Sequence, residues 1–271
     1  MRVLLGSIVV ELRAIGRSLD FVPHTLSGFV VDGSPVVTVE VAVDGRAFAD
    51  HAELLRSASR IDEHSLVVEL HENGFFSALD LRARHVEARL PRPSPRFVDT
   101  LLRQVLQLFA LVDRSGLLLH ASAVETGGKA VLFTGRAEAG KSTAARLAKD
   151  AGAEFLADDM VFVELDDPPM VHCLPFLQRT DGPLRPRTAP LGAIYAVTQS
   201  GGNRVERLHA TERLRRLTVA TTLAVKHPLF VRPLLEMDER LNSLVPVRAL
   251  HFRKGRDFWN VVLDDLESLT V

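Results

Sequence analysis

The sequence predicts an α/β protein with a β-rich first third and a phosphate-binding remainder. Three observations predict it. A glycine-rich loop of the form G-x-x-x-x-G-K-[ST], Gly135 to Ser142, lies between a strand-like run and a helix-forming run. A second strand-like run precedes that loop's strand across Gly127-Gly128, a hairpin signal. Three prolines in five residues, Pro91-Arg92-Pro93-Ser94-Pro95, interrupt any ladder or helix and mark a boundary. The expected units are therefore 1–95 and 96–271.

Before the boundary, strands are expected. Val36–Val43 is β-branched and ends in the turn signal Asp44-Gly45. Ser65–Leu70, Phe75–Leu79 and His85–Leu90 follow at short spacing, and a helical stretch is expected near 50–58. Together they predict a small antiparallel β domain with no visible chemistry. After the boundary, residues 96–113 carry an apolar stripe at helical spacing, from Phe97 and Val98 to Leu108 and Phe109. The strand-like Leu117–Val124 and Ala130–Thr134 flank the Gly-Gly turn.

The loop itself is Gly135-Arg136-Ala137-Glu138-Ala139-Gly140-Lys141-Ser142-Thr143. Its glycines let backbone N–H groups turn inward toward phosphate oxygens. Lys141 supplies a point charge for the β and γ phosphates, and the Ser142 hydroxyl suits Mg²⁺. Thr143 to Lys149 are good helix formers stopped by Gly152, so the positive end of that helix faces the phosphates.

Two neighbours narrow the chemistry. Asp158-Asp159 closes the short strand Ala153–Ala157, which is expected to lie beside the P-loop strand, where ligands sit beyond strand ends. One carboxylate can serve Mg²⁺ and the other can take a proton from an attacking hydroxyl. Asp166-Asp167 reads instead as a solvated acidic turn. If Gly127-Gly128 is a two-residue turn, Thr126 faces Lys129 and His120 lies opposite Gly135. A histidine there can pair with an aspartate or touch a phosphate.

At these residues the chain resembles a known family. The run from Leu117 to Val161, with its Leu-His step, hairpin, P-loop and Ala-Asp-Asp step, resembles the catalytic core of the HPr serine kinase/phosphorylase family. It is similar above all to stand-alone HPr-kinase-like proteins, including those that phosphorylate lasso peptides at serine. The resemblance implies a P-loop kinase core of the HPr-kinase/PEP-carboxykinase type, a mixed sheet with a hairpin before the P-loop. It implies ATP and Mg²⁺ as cofactors, Asp158 as general base, Asp159 with Ser142 at the metal, and His120 as helper. It also implies a homo-oligomer. Thr143 stands where HPr kinases carry glutamate, and their Gly-Gly-Arg-Asn-type signature is not found. Both departures bear on HPr as acceptor and on the reverse phosphorylase reaction, not on phosphoryl transfer.

Composition bounds the rest. The 271 residues hold 33 basic and 34 acidic side chains, a net charge of −1, which argues against a nucleic-acid or anionic-membrane binder. No apolar run reaches the roughly 18–20 residues that cross a bilayer. Glu11 and Arg13 interrupt the apolar start, so no signal peptide is expected. The single cysteine, Cys173, fits a reducing cytoplasm. Beyond the core, 166–190 reads as a Pro-rich substrate or lid loop whose Arg179, Arg185 and Arg187 are candidates to neutralise a transferring phosphoryl group. Leu191–Val197 and Val245–Phe252 read as strands, and Thr211–Val225, Phe230–Leu241 and Phe258–Leu266 as helices. The leading expectation is an ATP-dependent kinase acting on Ser or Thr of a peptide or protein. A small-molecule hydroxyl kinase and a nucleotide-binding sensor without turnover are the alternatives.

Overall fold

A computed structural model describes residues 1–16, 18–44, 58–72, 74–176, 185–255 and 257–269. The first sheet contains β1 (Arg2–Leu5), β2 (Ile8–Ala14), β3 (Val37–Val43), β4 (Ala58–Asp62), β5 (Val67–Glu72), β6 (Phe75–Asp80) and β7 (His85–Leu90). Their order is β1-β2-β3-β7-β6-β5-β4. The expected all-antiparallel arrangement is corrected here, because β3 pairs parallel with both β2 and β7. The early apolar run supplies β1 and β2, whose alternation buries Val3, Leu5, Ile8, Val10 and Leu12 on one face. The helix expected near 50–58 falls outside the described residues up to 57, and Ala58 already opens β4.

Helix α1 (Pro95–Asp113) starts with proline at its first turn, where the missing N–H costs nothing. It contacts β6 and β7 on one side and β8 (Gly116–Leu119) on the other. Val98, Leu101, Leu102, Val105, Leu106, Leu108 and Phe109 are all buried, and one apolar core runs through them from the first sheet into the second part. A helix buried on most sides leaves few polar positions. Those it has are paired: Gln107 donates to the Thr222 hydroxyl at 2.7 Å and accepts from the Ala224 amide.

The second sheet adds β9 (Ala121–Thr126), β10 (Lys129–Thr134), β11 (Glu154–Ala157), β12 (Val161–Glu164), β13 (Met170–His172), β14 (Thr188–Gln199), β15 (Arg204–Arg207) and β16 (Arg248–Phe252). It is mixed, with β10, β14 and β16 parallel to one another and the remaining pairs antiparallel. The α/β class and the mixed second sheet are as expected. The hairpin register is also as expected: Lys129 faces Thr126, Thr134 faces Ala121, and both turn glycines have positive φ.

The single strand expected over Leu117–Val124 breaks at His120. Its first half, β8, pairs with β12, and its second half, β9, pairs with β10 and β11. The partner arm breaks at the same level, between β11 and β12, at Asp158–Met160. Two paired arms that bend together leave a gap in the ladder beside the P-loop. Part of the expected 166–190 loop is strand, β13, and 177–184 with Arg179 lie outside the described residues.

Helices α2 (Lys141–Asp150), α3 (Ala210–Ala220), α4 (Pro228–Leu244) and α5 (Phe258–Ser268) complete the fold. Phe133 on the P-loop strand packs against Phe258 and Trp259 in tilted and edge-on contacts, and Trp259 is buried, so it is a packing anchor. On α4, Asp238 is wholly buried. One oxygen accepts from the Thr221 hydroxyl at 2.7 Å, and the other has no partner among the described residues. Burial pushes its pKa up to about 6. A carboxyl raised in the folded state stabilises below its unfolded value and loses that contribution as pH rises through 6. Asp238→Asn is therefore expected to raise Tm at pH 8 by several degrees, from about 2 kcal/mol of relieved charge burial. Thermal melts should show the gain vanish near pH 4, and a gain that persists at pH 4 would contradict this.

Candidate active site

The P-loop joins β10 to α2 as its sequence requires. Gly135 and Gly140 have φ of +142° and +102°, and Glu138 between them has φ of +64°. These conformations let the loop turn on itself, with the Ala139 amide donating to the Arg136 carbonyl at 3.2 Å. Gly140 is also sterically required, since a Cβ there would stand 2.9 Å from Phe252 Cζ and 3.0 Å from Gln199 Nε2. Lys141 is buried and curls back, its ammonium donating to the carbonyls of Gly135 and Arg136 at 3.0 and 3.1 Å. Burial lowers its pKa, and the charges of Asp159 and Asp158 act the other way.

The acidic pair sits in the gap between β11 and β12. Asp158 is buried, and one carboxylate oxygen accepts from the Ser142 hydroxyl at 2.7 Å and the Ser122 hydroxyl at 2.5 Å. Asp159 is half-exposed and lies on other partners. Arg103 Nη1 donates to it at 3.2 Å, and His120 Nδ1 is 3.3 Å from its other oxygen. The Met160 amide donates to the Asp158 carbonyl, and Asp159 in the middle has φ of +75°. That is a γ-turn with its centre in the left-handed region, a strained conformation that only surrounding contacts can hold. The turn sends two adjacent side chains to different partners: Asp158 toward the P-loop serine, Asp159 toward α1 and His120.

His120 occupies the matching break between β8 and β9. Its amide donates to the Ala220 carbonyl at 2.7 Å, which ties the break to the end of α3. Burial, then the charge of Lys141, holds its pKa below the ordinary 6.5, while Asp159 acts in the opposite direction. The ring is therefore neutral at pH 7.

His120, Lys141, Ser142, Asp158 and Asp159 line one cavity of about 1260 Å³. Ala137, Glu138, Gly140 and Thr143 line it as well, whereas Gly135 and Ala139 line a smaller space of about 360 Å³ on the other side of the loop. Among the described residues, no group of three or more His, Cys, Asp or Glu converges as a metal cluster. The donors present are the Ser142 hydroxyl and the Asp158 carboxylate, two hard oxygens in contact with each other. That set fits Mg²⁺, which is usually held by one or two protein oxygens, with phosphate and water supplying the rest.

No family model and no curated protein matches the chain. Among solved structures, it is similar to the Hpr(Ser) kinase/phosphatase from Coxiella burnetii. The identity is 12% and the TM-score 0.33, over 57% of this chain and 99% of that one. A likeness of that size says nothing about activity, and the residues of the site carry the reading instead.

Two expectations about position change. Asp158-Asp159 does not close a strand next to the P-loop strand, because β9 lies between β11 and β10. Arg187 is not at the site: it pairs with Glu125 and Glu154, near the hairpin turn at the far end of β9. The arginine that does reach the site is Arg103 on α1, which bonds both Asp99 (2.8 Å) and Asp159 and stacks over the Phe176 ring at 4.9 Å. Its signal in the sequence was an Asp99–Arg103 pair at helical spacing on an otherwise apolar stretch. Ser122, the second hydroxyl on Asp158, carried no signal beyond a polar residue in an apolar strand.

Proposed function

We propose that the chain is an ATP-dependent kinase that transfers a γ-phosphoryl group to a hydroxyl, that of a Ser or Thr of a peptide or protein. The observation that supports it best is the division of labour in the acidic pair. Asp158 and Ser142 touch each other at the mouth of the P-loop, while Asp159 and His120 face the same cavity beside them. A nucleotide sensor needs the loop and one metal-side carboxylate. It has no use for a second carboxylate held in a strained turn against a neutral histidine.

In this reading the loop amides and Lys141 hold the triphosphate, and Ser142 and Asp158 would hold Mg²⁺. The metal would neutralise charge developing on the phosphoryl oxygens. The geometry favours Asp159 over Asp158 as the base. Asp158 is buried and accepts two hydroxyl hydrogen bonds, whereas Asp159, though held by Arg103 and His120, is half-exposed to the cavity. Asp159 takes the hydroxyl proton as the acceptor O–P bond forms and the bond from the γ phosphorus to the β–γ bridging oxygen breaks. Arg103 and His120 orient Asp159 without contacting the reacting atoms, so both are positioning residues.

The test is transfer of γ-labelled phosphate from Mg–ATP into fractionated host lysate, with Asp159→Asn as control. A labelled acceptor that disappears with the variant supports the reading. Tight ATP binding with no labelled product would favour the sensor. The pH profile is a second check. Protonating His120 would place a cation beside Lys141 and Arg103 and draw Asp159 into ion pairing. The acid limb of kcat/KM is expected below pH 6.5 and should shift in His120→Gln. An acid limb above 6.5, or one unchanged in the variant, would remove His120 from the mechanism.

A further inference from the structure

The P-loop lines only part of the large cavity. A second stretch of its lining comes from the proline-rich boundary segment and the first sheet's connections: Arg92, Pro93, Ser94, Pro95, Arg96 and His24. Here the chemistry is cationic. Arg92 and Arg96 are exposed, and neither forms an ion pair among the described residues. Arg103, by contrast, is already committed to Asp99 and Asp159. Both arginines leave the chain from a stiff support. Pro91, Pro93 and Pro95 fix φ along the segment, and Ser94 between them is extended at φ −155°, ψ 127° before α1 begins. The fixed backbone sets where each arginine leaves the chain, and the planar guanidinium fork is pre-organised for a carboxylate.

Resting on the kinase reading above, we infer that this segment is the acceptor-recognition wall, and that the acceptor is a peptide whose Ser or Thr is flanked by Asp or Glu. Three arguments converge. First, volume: about 1260 Å³ exceeds the ~300–1,000 Å³ usual for one small-molecule site, so a triphosphate leaves room for more. Second, polarity: the cavity holds the acidic pair in one part of its lining and the unpaired arginines in another. An acceptor with a neutral hydroxyl and a neighbouring carboxylate is oriented by that field, its hydroxyl toward Asp159 and its carboxylate toward Arg92 and Arg96. The reverse orientation places like charges together. Third, access: both arginines are solvent-exposed rather than enclosed, which suits a segment of chain passing over the rim better than a sealed metabolite.

The test uses the full chain and synthetic peptides carrying one serine flanked by Asp/Glu, by Ala or by Lys, with γ-labelled Mg–ATP. The acidic series is expected to be labelled with at least about tenfold higher kcat/KM than the alanine series, since each charge-assisted contact is worth roughly that. The advantage should shrink as salt rises. Arg92→Gln/Arg96→Gln should erase it through the peptide KM while the KM for ATP stays near wild type. Arg92→Glu/Arg96→Glu should reverse it in favour of the lysine series. Equal labelling of all series, or an acidic preference that survives both double variants, overturns the inference. So does ATP binding with no peptide labelled, which would leave a metabolite or a folded acceptor. Failure to bind ATP at all, measured by titration with a fluorescent nucleotide, would instead sink the kinase reading beneath it.

Discussion

Asp159→Asn is expected to cut phosphoryl transfer about a thousandfold while Mg–ATP affinity stays within about twofold. The substitution isolates the proton-accepting function. Asparagine tolerates the left-handed backbone that Asp159 adopts at φ +75°, so the γ-turn survives. Its amide oxygen still accepts from Arg103, so α1 keeps its hold on the turn. What disappears is the carboxylate that the proposed mechanism uses to take the acceptor's proton. Asp158→Asn should fail differently. The amide retains an oxygen for Ser122 and Ser142 but loses the charge that would sit beside Mg²⁺. Its expected phenotype is weakened, metal-insensitive nucleotide binding, with any residual transfer following occupancy. Nucleotide titration with and without Mg²⁺ separates the two. If the phenotypes exchange, Asp158 is the base and Asp159 the metal-side residue, the order that the family resemblance implies.

Why the proposed order departs from that one says how much the sequence could reveal. Adjacent residues in a regular strand point to opposite faces, and nothing in Ala157-Asp158-Asp159-Met160 announces a γ-turn. The turn exists because β11 and β12 join different halves of the sheet, and only the paired break at His120 makes that join possible. Local signals were reliable where the chemistry is local. The Gly-Gly turn set the register of β9 and β10, the P-loop followed its strand, and the apolar stripe of α1 named its buried face. They failed where partners are distant. The parallel β2–β3–β7 pairing depends on connections that carry no code for direction. Arg187 and Arg103 are both arginines near a carboxylate. Only the packing of α1 between the first sheet and β8 decides that Arg103 is the one at Asp159.

Gly140→Ala is expected to lower ATP affinity by about two orders of magnitude, and Gly152→Ala to leave it unchanged. The pair separates two physical effects that a glycine can serve. Both residues have left-handed backbones, at φ +102° and +104°, so alanine strains each by a comparable amount, about 1–2 kcal/mol. Around Gly152 no heavy atom lies within 4 Å of the added methyl group, so the strain is the whole cost and appears as a lower Tm. At Gly140 the methyl also meets Phe252 Cζ and Gln199 Nε2 at 2.9 and 3.0 Å. Gln199 is exposed at the end of β14 and can swing away, but Phe252 is wholly buried among Phe258 and its neighbours. A buried ring does not yield cheaply in a close-packed core, so the loop moves instead. Because Gly140 caps α2, that movement shifts the Lys141 and Ser142 amides, which a phosphate must meet within hydrogen-bond distance. Calorimetric titration of both variants with Mg–ATP checks this. Equal affinity for the two would mean that the loop absorbs the collision without carrying the phosphate-binding amides, and that the nucleotide is held elsewhere.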